Sequence, residues 1–410
     1  MSKFTNPFKP TKPVYSGVFS GRYNELYKID KSLRETKAGN PTNLLFVGER
    51  GIGKTSLLLY AKFIANGDIL SMDQEKFNFL NVFITIDNRM NTTRFIQKLN
   101  IEIERQLRNE NDVLQKVKDV WSFVKRLEVG GVKLNPAEIQ DIVDNAIYSL
   151  VDTIKIICDD KTKKDGIVIF IDEADNSPEE LQIGSFLKIL NEKLISENCE
   201  NVLFVMAGLP EVRNKLRESH QSSLRIFEEL ELATLSKQDT RAVIESGLTE
   251  VKNEQKVLIE IADAAVDTIY LISEGYPHFI QQLAYCAFEQ NSDHIIDGHD
   301  VNESISNSLR LIGDRYYKDM FFNKILSESY RDVLVIMSEK GSDWITKEEI
   351  KKKFRGSEKT LNNAISALKT RNIILVKEGV KGYYRLQWIA FALWIKYFTQ
   401  KDLSTEADKA

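Results

Sequence analysis

Eight consecutive residues, Gly48-Glu49-Arg50-Gly51-Ile52-Gly53-Lys54-Thr55, restrict this chain more than anything else in it. They follow a short apolar run, Asn43 to Val47, and precede Ser56 to Ala65, which has helical spacing and no breaker. The spacing predicts strand, glycine loop and helix in succession. A G-x-x-x-x-G-K-T loop in that setting has a physical use: glycines let consecutive backbone N–H groups turn inward around a β-phosphate, and the helix N-terminus adds the positive end of its dipole. Lys54 then reaches the β- and γ-phosphates, and the Thr55 hydroxyl takes one position on Mg²⁺. The whole run from Gly48 to Ser56 is therefore assigned to a bound nucleoside triphosphate.

Such a loop needs a carboxylate on a second strand, and Gly166 to Asp175 (G-I-V-I-F-I-D-E-A-D) supplies one. Its consecutive, mostly β-branched apolar residues read as a parallel strand buried on both faces. Asp172 emerges at the C-terminal edge, where open α/β sheets bind ligands, and is expected to hold Mg²⁺ through water. Glu173 beside it is placed to orient and polarise an attacking water. The runs Asn81 to Asp87, Asn201 to Ala207 and Glu229 to Leu232 complete a doubly wound parallel sheet over about residues 15–235. Residues 91–165 lack strand runs and read as a helical insertion.

Composition narrows the class further. At 410 residues the chain is long enough for two or three domains, and 42% hydrophobic with 28% charged residues is an ordinary soluble composition. No apolar run approaches the roughly 18 residues needed to cross a bilayer. Met1 to Val14 is polar, so the expected compartment is the cytoplasm and no membrane partner is expected. Cys158, Cys199 and Cys286 are an odd number without C-x-x-C spacing, which suggests neither disulfides nor zinc. Charge is unevenly spread: residues 331–400 hold 14 Lys+Arg against 7 Asp+Glu, a net of +7, leaving −11 for the rest of a chain whose total is −4.

A guanine-reading [NT]-K-x-D would follow the phosphate sites, but Thr162-Lys163-Lys164-Asp165 precedes the carboxylate strand, so adenine is expected. No L-S-G-G-Q-like transporter signature follows the loop. The sequence resembles the AAA+ superfamily, and within it the origin-recognition-like and STAND-related ATP-binding branch. Asn6-Pro-Phe-Lys-Pro10 and Phe19-Ser-Gly-Arg-Tyr-Asn-Glu-Leu26 look like the family's F-x-G-R-x-x-E-L box, which the resemblance places near adenine and which contains Arg22. Ser222-Ser-Leu-Arg-Ile-Phe227 precedes the last strand, where family members carry an arginine that reaches a neighbouring subunit's γ-phosphate; Arg225 is the counterpart. Glu274-Gly-Tyr-Pro-His278 looks like the lid motif in its G-x-P form, with Pro277 opening a helix and His278 where an arginine would stand. The end of the fourth strand, Met206-Ala207-Gly208-Leu209, lacks the Asn or Thr of a first sensor. Both departures imply hydrolysis that is slow or dependent on a partner.

The basic segment, Arg331 to Tyr397, shows three helical stretches and then two β-rich runs around Glu378-Gly379, the pattern of a winged helix. Ser357 would cap its recognition helix, with Lys359, Asn362, Asn363 and Ser366 facing out and Lys377 and Lys381 on the wing. The expected organisation is a P-loop AAA+-like sheet domain over 1–235, a helical lid over 236–325, a winged helix over 326–400 and a tail over 401–410. Three functions fit: a Mg²⁺-dependent ATPase that oligomerises with its own kind and works on duplex DNA, a STAND-like switch serving a protein effector, or a DNA-binding regulator with structural nucleotide.

Overall fold

Five apolar runs make the sheet around which the first part of the chain is built: β1 (Asn43–Val47), β2 (Leu80–Thr85), β3 (Ile167–Asp172), β4 (Val202–Gly208) and β5 (Phe227–Glu231). In the computed structural model, which describes residues 4–12, 21–127, 136–158, 164–341, 343–377 and 379–399, they pair in the order β2-β3-β4-β1-β5, all parallel. Of the sequence features above, Phe19, Ser20, Thr162, Lys163, Glu378 and the tail 401–410 lie outside the described residues. Every residue of β1, β3 and β4 is buried, as expected for central strands covered on both faces. One strand, β4, separates the phosphate-loop strand from the carboxylate strand. Val47 pairs with Gly208, Ile171 with Met206 and Thr85 with Asp172, so the C-terminal ends lie level along one edge.

Helices α1 (Tyr23–Lys37), α2 (Lys54–Asn66), α3 (Thr92–Gln106), α4 (Asn111–Val120), α5 (Pro136–Ile157), α6 (Ile183–Ser196) and α7 (Val212–Ser219) accompany this sheet. The described residues between β2 and β3 are mostly helical, and their apolar faces join the sheet core through Leu99, Ile103, Trp121 and Leu150. Trp121 is buried with its Nε1 donating to Thr153 Oγ1 at 2.8 Å, so its one polar atom is satisfied.

The chain divides into two compact units, with Arg22–Ala233 carrying the sheet and Thr234 opening the other. The second unit starts with α8 (Lys237–Gln255), fixed by a Ser236/Asp239 capping box, and then β6 (Glu260–Ile261), α9 (Asp263–Ser273) and α10 (Pro277–Gln290). β7 (Ile295–Ile296) and α11 (Gly298–Ile312) follow, and wide π-helical turns carry the chain over Gly313–Tyr317 and Asp319–Lys324. Residues 4–12, which the sequence reading grouped with the sheet domain, pack on this second unit. Asn6 Nδ2 donates to the Tyr285 carbonyl at 3.0 Å and to Glu289 at 2.9 Å, and Phe8 is buried in edge contact with Phe288. A buried aromatic on an otherwise polar segment decides where that segment lies.

The unit ends with α12 (Glu328–Ser338), β8 (Ile345–Thr346), α13 (Lys347–Lys353), α14 (Glu358–Thr370), β9 (Ile374–Val376), β10 (Tyr383–Leu386) and α15 (Ile389–Trp394). β8, β10 and β9 form a small antiparallel sheet in that order. The Ser357 side chain accepts from the Thr360 amide, capping α14. Leu361, Ala364, Ile365 and Leu368 give α14 a buried face, while Lys359, Asn362, Asn363 and Ser366 are exposed.

Candidate nucleotide-binding site

The loop after β1 turns back over the sheet edge because Gly51 (φ +81°) and Gly53 (φ +99°) take left-handed backbone that side-chain-bearing residues avoid. Gly53 is the N-cap of α2, so the helix opens at Lys54 with its first amides free to face the loop. Lys54 Nζ folds over the loop and donates to the Gly48 carbonyl at 2.7 Å and the Glu49 carbonyl at 2.9 Å. Burial pushes the Lys54 ammonium pKa down, opposed by the carboxylates of Asp175, Asp172 and Glu49, with Arg50 adding to the lowering. Glu49 and Arg50 are exposed, Ile52 is buried, and Thr55 and Ser56 are partly covered on the first turn of α2.

Thr55 Oγ1 donates to Asp172 Oδ2 at 2.8 Å, so residues 117 positions apart meet across the sheet edge. Asp172 is 4% exposed at the end of β3. Burial pushes its carboxyl pKa up, and the bonds from the Thr55 hydroxyl and the Glu173 amide pull it back. An almost buried carboxylate hydrogen-bonded to a hydroxyl is a pair of hard oxygen donors, the donor set that suits Mg²⁺ retaining several waters. Lys54, Thr55 and Asp172 thus converge, as Mg²⁺-nucleotide binding requires.

Glu173 differs from its neighbour in every respect that matters chemically. Its φ of +54° is left-handed, rare for a residue with a side chain, and its carboxylate is exposed. The turn it makes lets its own amide donate to Asp172 Oδ1 at 2.9 Å, while its Oε2 accepts from Asn176 Nδ2 at 3.2 Å. Backbone strain of this kind costs on the order of 1–3 kcal/mol and gathers at functional sites. Asp175, one residue before Asn176, accepts from the Leu209 amide at 2.8 Å and so ties the turn after β3 to the end of β4. Sequence reasoning gave neither Asp175 nor Asn176 a role; the signal was the recurrence of acid and amide three residues after each member of the Asp172-Glu173 pair.

The remaining residues singled out in the sequence have other surroundings. Arg22 is buried in the sheet unit, donating from Nη2 to the Ile52 carbonyl at 3.0 Å and pairing through Nη1 with Glu25 at 3.2 Å, so it braces the back of the phosphate loop. Arg225 lies exposed on the turn before β5, and among the described residues it has no ion pair. The acidic edge it precedes is held by others: Lys28 pairs with Glu228, and Arg213 with Glu229 and Glu231. Pro277 and His278 belong to the second unit. Pro277 is the first residue of α10, and the His278 ring lies 4.6 Å from that of Tyr316.

Comparison with known proteins agrees with this geometry. A family model described as an AAA domain matches residues 37–216. A Walker-type ATPase of Pyrococcus abyssi is 14% identical, with 94% of this chain and 99% of that one aligned at a TM-score of 0.54. The Aeropyrum pernix ORC2 protein in its ADPNP-ADP complexes is 12% identical over 98% of both chains at a TM-score of 0.57, and its ADP form gives 13%, 96% and 97%, and 0.51. No curated protein matches. Residues 37–216 are thus similar to the AAA domain, and the chain shares its fold with the Pyrococcus Walker-type ATPase and Aeropyrum ORC2.

Proposed function

We propose that this chain binds ATP with Mg²⁺ at Gly48 to Ser56 and hydrolyses it slowly or on stimulation by a partner, coupling nucleotide state to self-association and conformational change. The observation that carries the reading is the 2.8 Å bond between Thr55 and the buried Asp172, beside an ammonium already turned over the loop. Thr55 and Asp172 would hold Mg²⁺, which when bound neutralises charge on the β- and γ-phosphate oxygens. Lys54 contributes a second positive charge to the same oxygens. Glu173, exposed and strained at the mouth of the site, takes the role of general base, with Asn176 restraining its carboxylate. The adenine assignment is supported by the ADPNP-ADP complexes and the ADP form of Aeropyrum ORC2, which shares the fold.

The helix, strand, helix, helix and two-strand order of residues 328–386 supports reading the C-terminal part as a winged helix. Its exposed Lys359, Asn362, Asn363, Ser366, Lys377 and Lys381 would meet duplex DNA. Lys351 and Lys353 are engaged by Glu358 and Glu339, which leaves them less charge for a phosphate backbone. A second reading, a STAND-like switch serving a protein effector, is favoured by the end of β4, where Met206, Ala207 and Gly208 offer no polar side chain to a γ-phosphate.

Glu173→Gln separates binding from turnover. It keeps the side chain's shape and its bond to Asn176 while removing the base, so ATP affinity should stay at wild type while steady-state hydrolysis falls about 10²–10⁴-fold. Undiminished phosphate release by that variant would refute the assignment.

A further inference from the structure

The turn between α9 and α10 is fastened to the C-terminal module by one carboxylate. Glu274, at a left-handed φ of +49°, accepts from the Ile389 amide at the start of α15 (2.7 Å, Oε2) and faces Arg385 Nη1 of β10 at 3.4 Å through Oε1. Burial pushes the Glu274 carboxyl pKa up, with the Ile389 amide and then Arg385 pulling it back. Next to it, the Gly275 (φ +76°) carbonyl accepts from the Leu235 amide at 2.9 Å, and the backbones lie so close that a Cβ on Gly275 would stand 2.1 Å from the Leu235 oxygen. An aromatic stack continues the joint: Trp388 meets Tyr276 edge-on at 6.5 Å and lies 6.1 Å from Tyr317, which also approaches Phe391 at 4.8 Å.

This joint has a defect of a definite kind. Tyr317 Oη, Trp388 Nε1 and Arg385 Nε are all buried donors with no hydrogen-bond acceptor among the described residues. A donor taken out of water without an acceptor is a standing cost of the docked arrangement, and it is recovered when the joint opens to solvent. Apolar stacking favours docking; the orphaned donors favour release; Glu274 is the polar contact that tips the balance.

We propose that this joint is a release point, at which the C-terminal module is docked on the turn Glu274 to His278 through Glu274 and comes free when that turn shifts. The joint thereby ties the backbone of the G-x-P turn to the position of the C-terminal module. It goes beyond the nucleotide reading, and its test needs no nucleotide, so either can fail alone.

The test is amide hydrogen exchange on the full chain, comparing residues 383–396 with the sheet strands 167–172 and 202–208. Glu274→Ala should speed exchange over 383–396 about tenfold or more while the sheet strands stay at wild-type rates. Gly275→Ala, which forces the turn off Leu235 and leaves Glu274 in place, should do the same. Tyr317→Phe removes an orphaned donor without removing ring contacts, so it should leave exchange over 383–396 unchanged or slower. Wild-type exchange in Glu274→Ala would overturn the latch. An effect of Gly275→Ala confined to residues 273–279 would overturn the coupling, and faster exchange in Tyr317→Phe would show that the hydroxyl is bonded and the joint is ordinary packing.

Discussion

At the phosphate loop Lys54 and Thr55 are held by hydrogen bonds, whereas in the turn of the second unit His278 lies against rings. Lys54 is held by two loop carbonyls and Thr55 by Asp172, each within 2.9 Å. His278 is placed instead by Tyr316 and Phe279, with centroid separations of 4.6 and 5.9 Å. The first arrangement orients charge, because a hydrogen bond fixes direction as well as distance. The second orients a surface, because ring contacts are broad and tolerate sliding. The difference teaches that a motif assigns chemistry firmly where its backbone is itself the binding group, and only provisionally where its side chain has a packing alternative.

The largest expected effect lies with Arg225, whose side chain has neither kind of partner among the described residues. If it completes a neighbouring subunit's site, turnover per subunit rises with protein concentration, and Arg225→Ala binds ATP normally but hydrolyses it about 10³-fold more slowly. Mixing it with Lys54→Ala should restore partial activity. The competing account, an ion pair with the acidic edge Glu228 to Glu231, predicts lost thermal stability, but Lys28 and Arg213 already occupy those carboxylates. A melting point at wild type with concentration-independent, wild-type hydrolysis in Arg225→Ala would break the comparison by making the sheet unit self-sufficient.

Next in size is the contrast between Lys54 and His278. If Lys54 holds phosphate as proposed, Lys54→Ala removes a charge-assisted contact and should weaken ATP binding on the order of a hundredfold in an equilibrium titration. His278→Ala removes ring packing and should lower the melting temperature by about 2–4 °C per kcal/mol of lost contact while changing affinity only a few fold. An affinity loss as large for His278→Ala as for Lys54→Ala would make the turn a direct phosphate partner and erase the distinction drawn above.

The smallest expected effect is acid sensitivity in the C-terminal module. Glu349 accepts from the Thr346 amide at 2.8 Å within a capping box, and Lys340 lies 3.0 Å away; together these hold its carboxyl at about 2. A folded pKa below the unfolded one contributes stability that is present above about 4.5 and is lost as pH falls through about 2. Glu349→Gln should flatten that acid loss in the thermal unfolding of the chain without altering the sheet unit's exchange. An unchanged pH profile would mean that the capping box adds nothing to stability.

The strands and the phosphate loop were legible because their signals are local. Apolar runs of strand length, glycines at left-handed positions and an uninterrupted helix lie within a few residues of one another in Asn43 to Ala65, and β3 announces itself by five buried residues before Asp172. The edge strand was displaced by two residues at its start, Phe227 rather than Glu229, because its alternating, half-exposed pattern is a weaker signal than a fully apolar one. Residues 4–12 were misgrouped because nothing local says which surface will cover Phe8.

By itself the sequence determined that a phosphate loop exists, which lysine and hydroxyl it presents, and which aspartate ends a central strand, since each follows from spacing along one short segment. Tertiary structure decided what lies beyond that spacing. It brought Asp172 to Thr55 by inserting β4 between their strands, and buried one of two adjacent carboxylates while exposing the other. It also turned Arg22 onto the Ile52 carbonyl and fastened the Glu274 turn to Ile389, 115 residues downstream. Local propensity reaches about one helical turn along the chain, whereas these contacts depend on which buried surfaces exclude water together, and that is settled only when the whole core has formed.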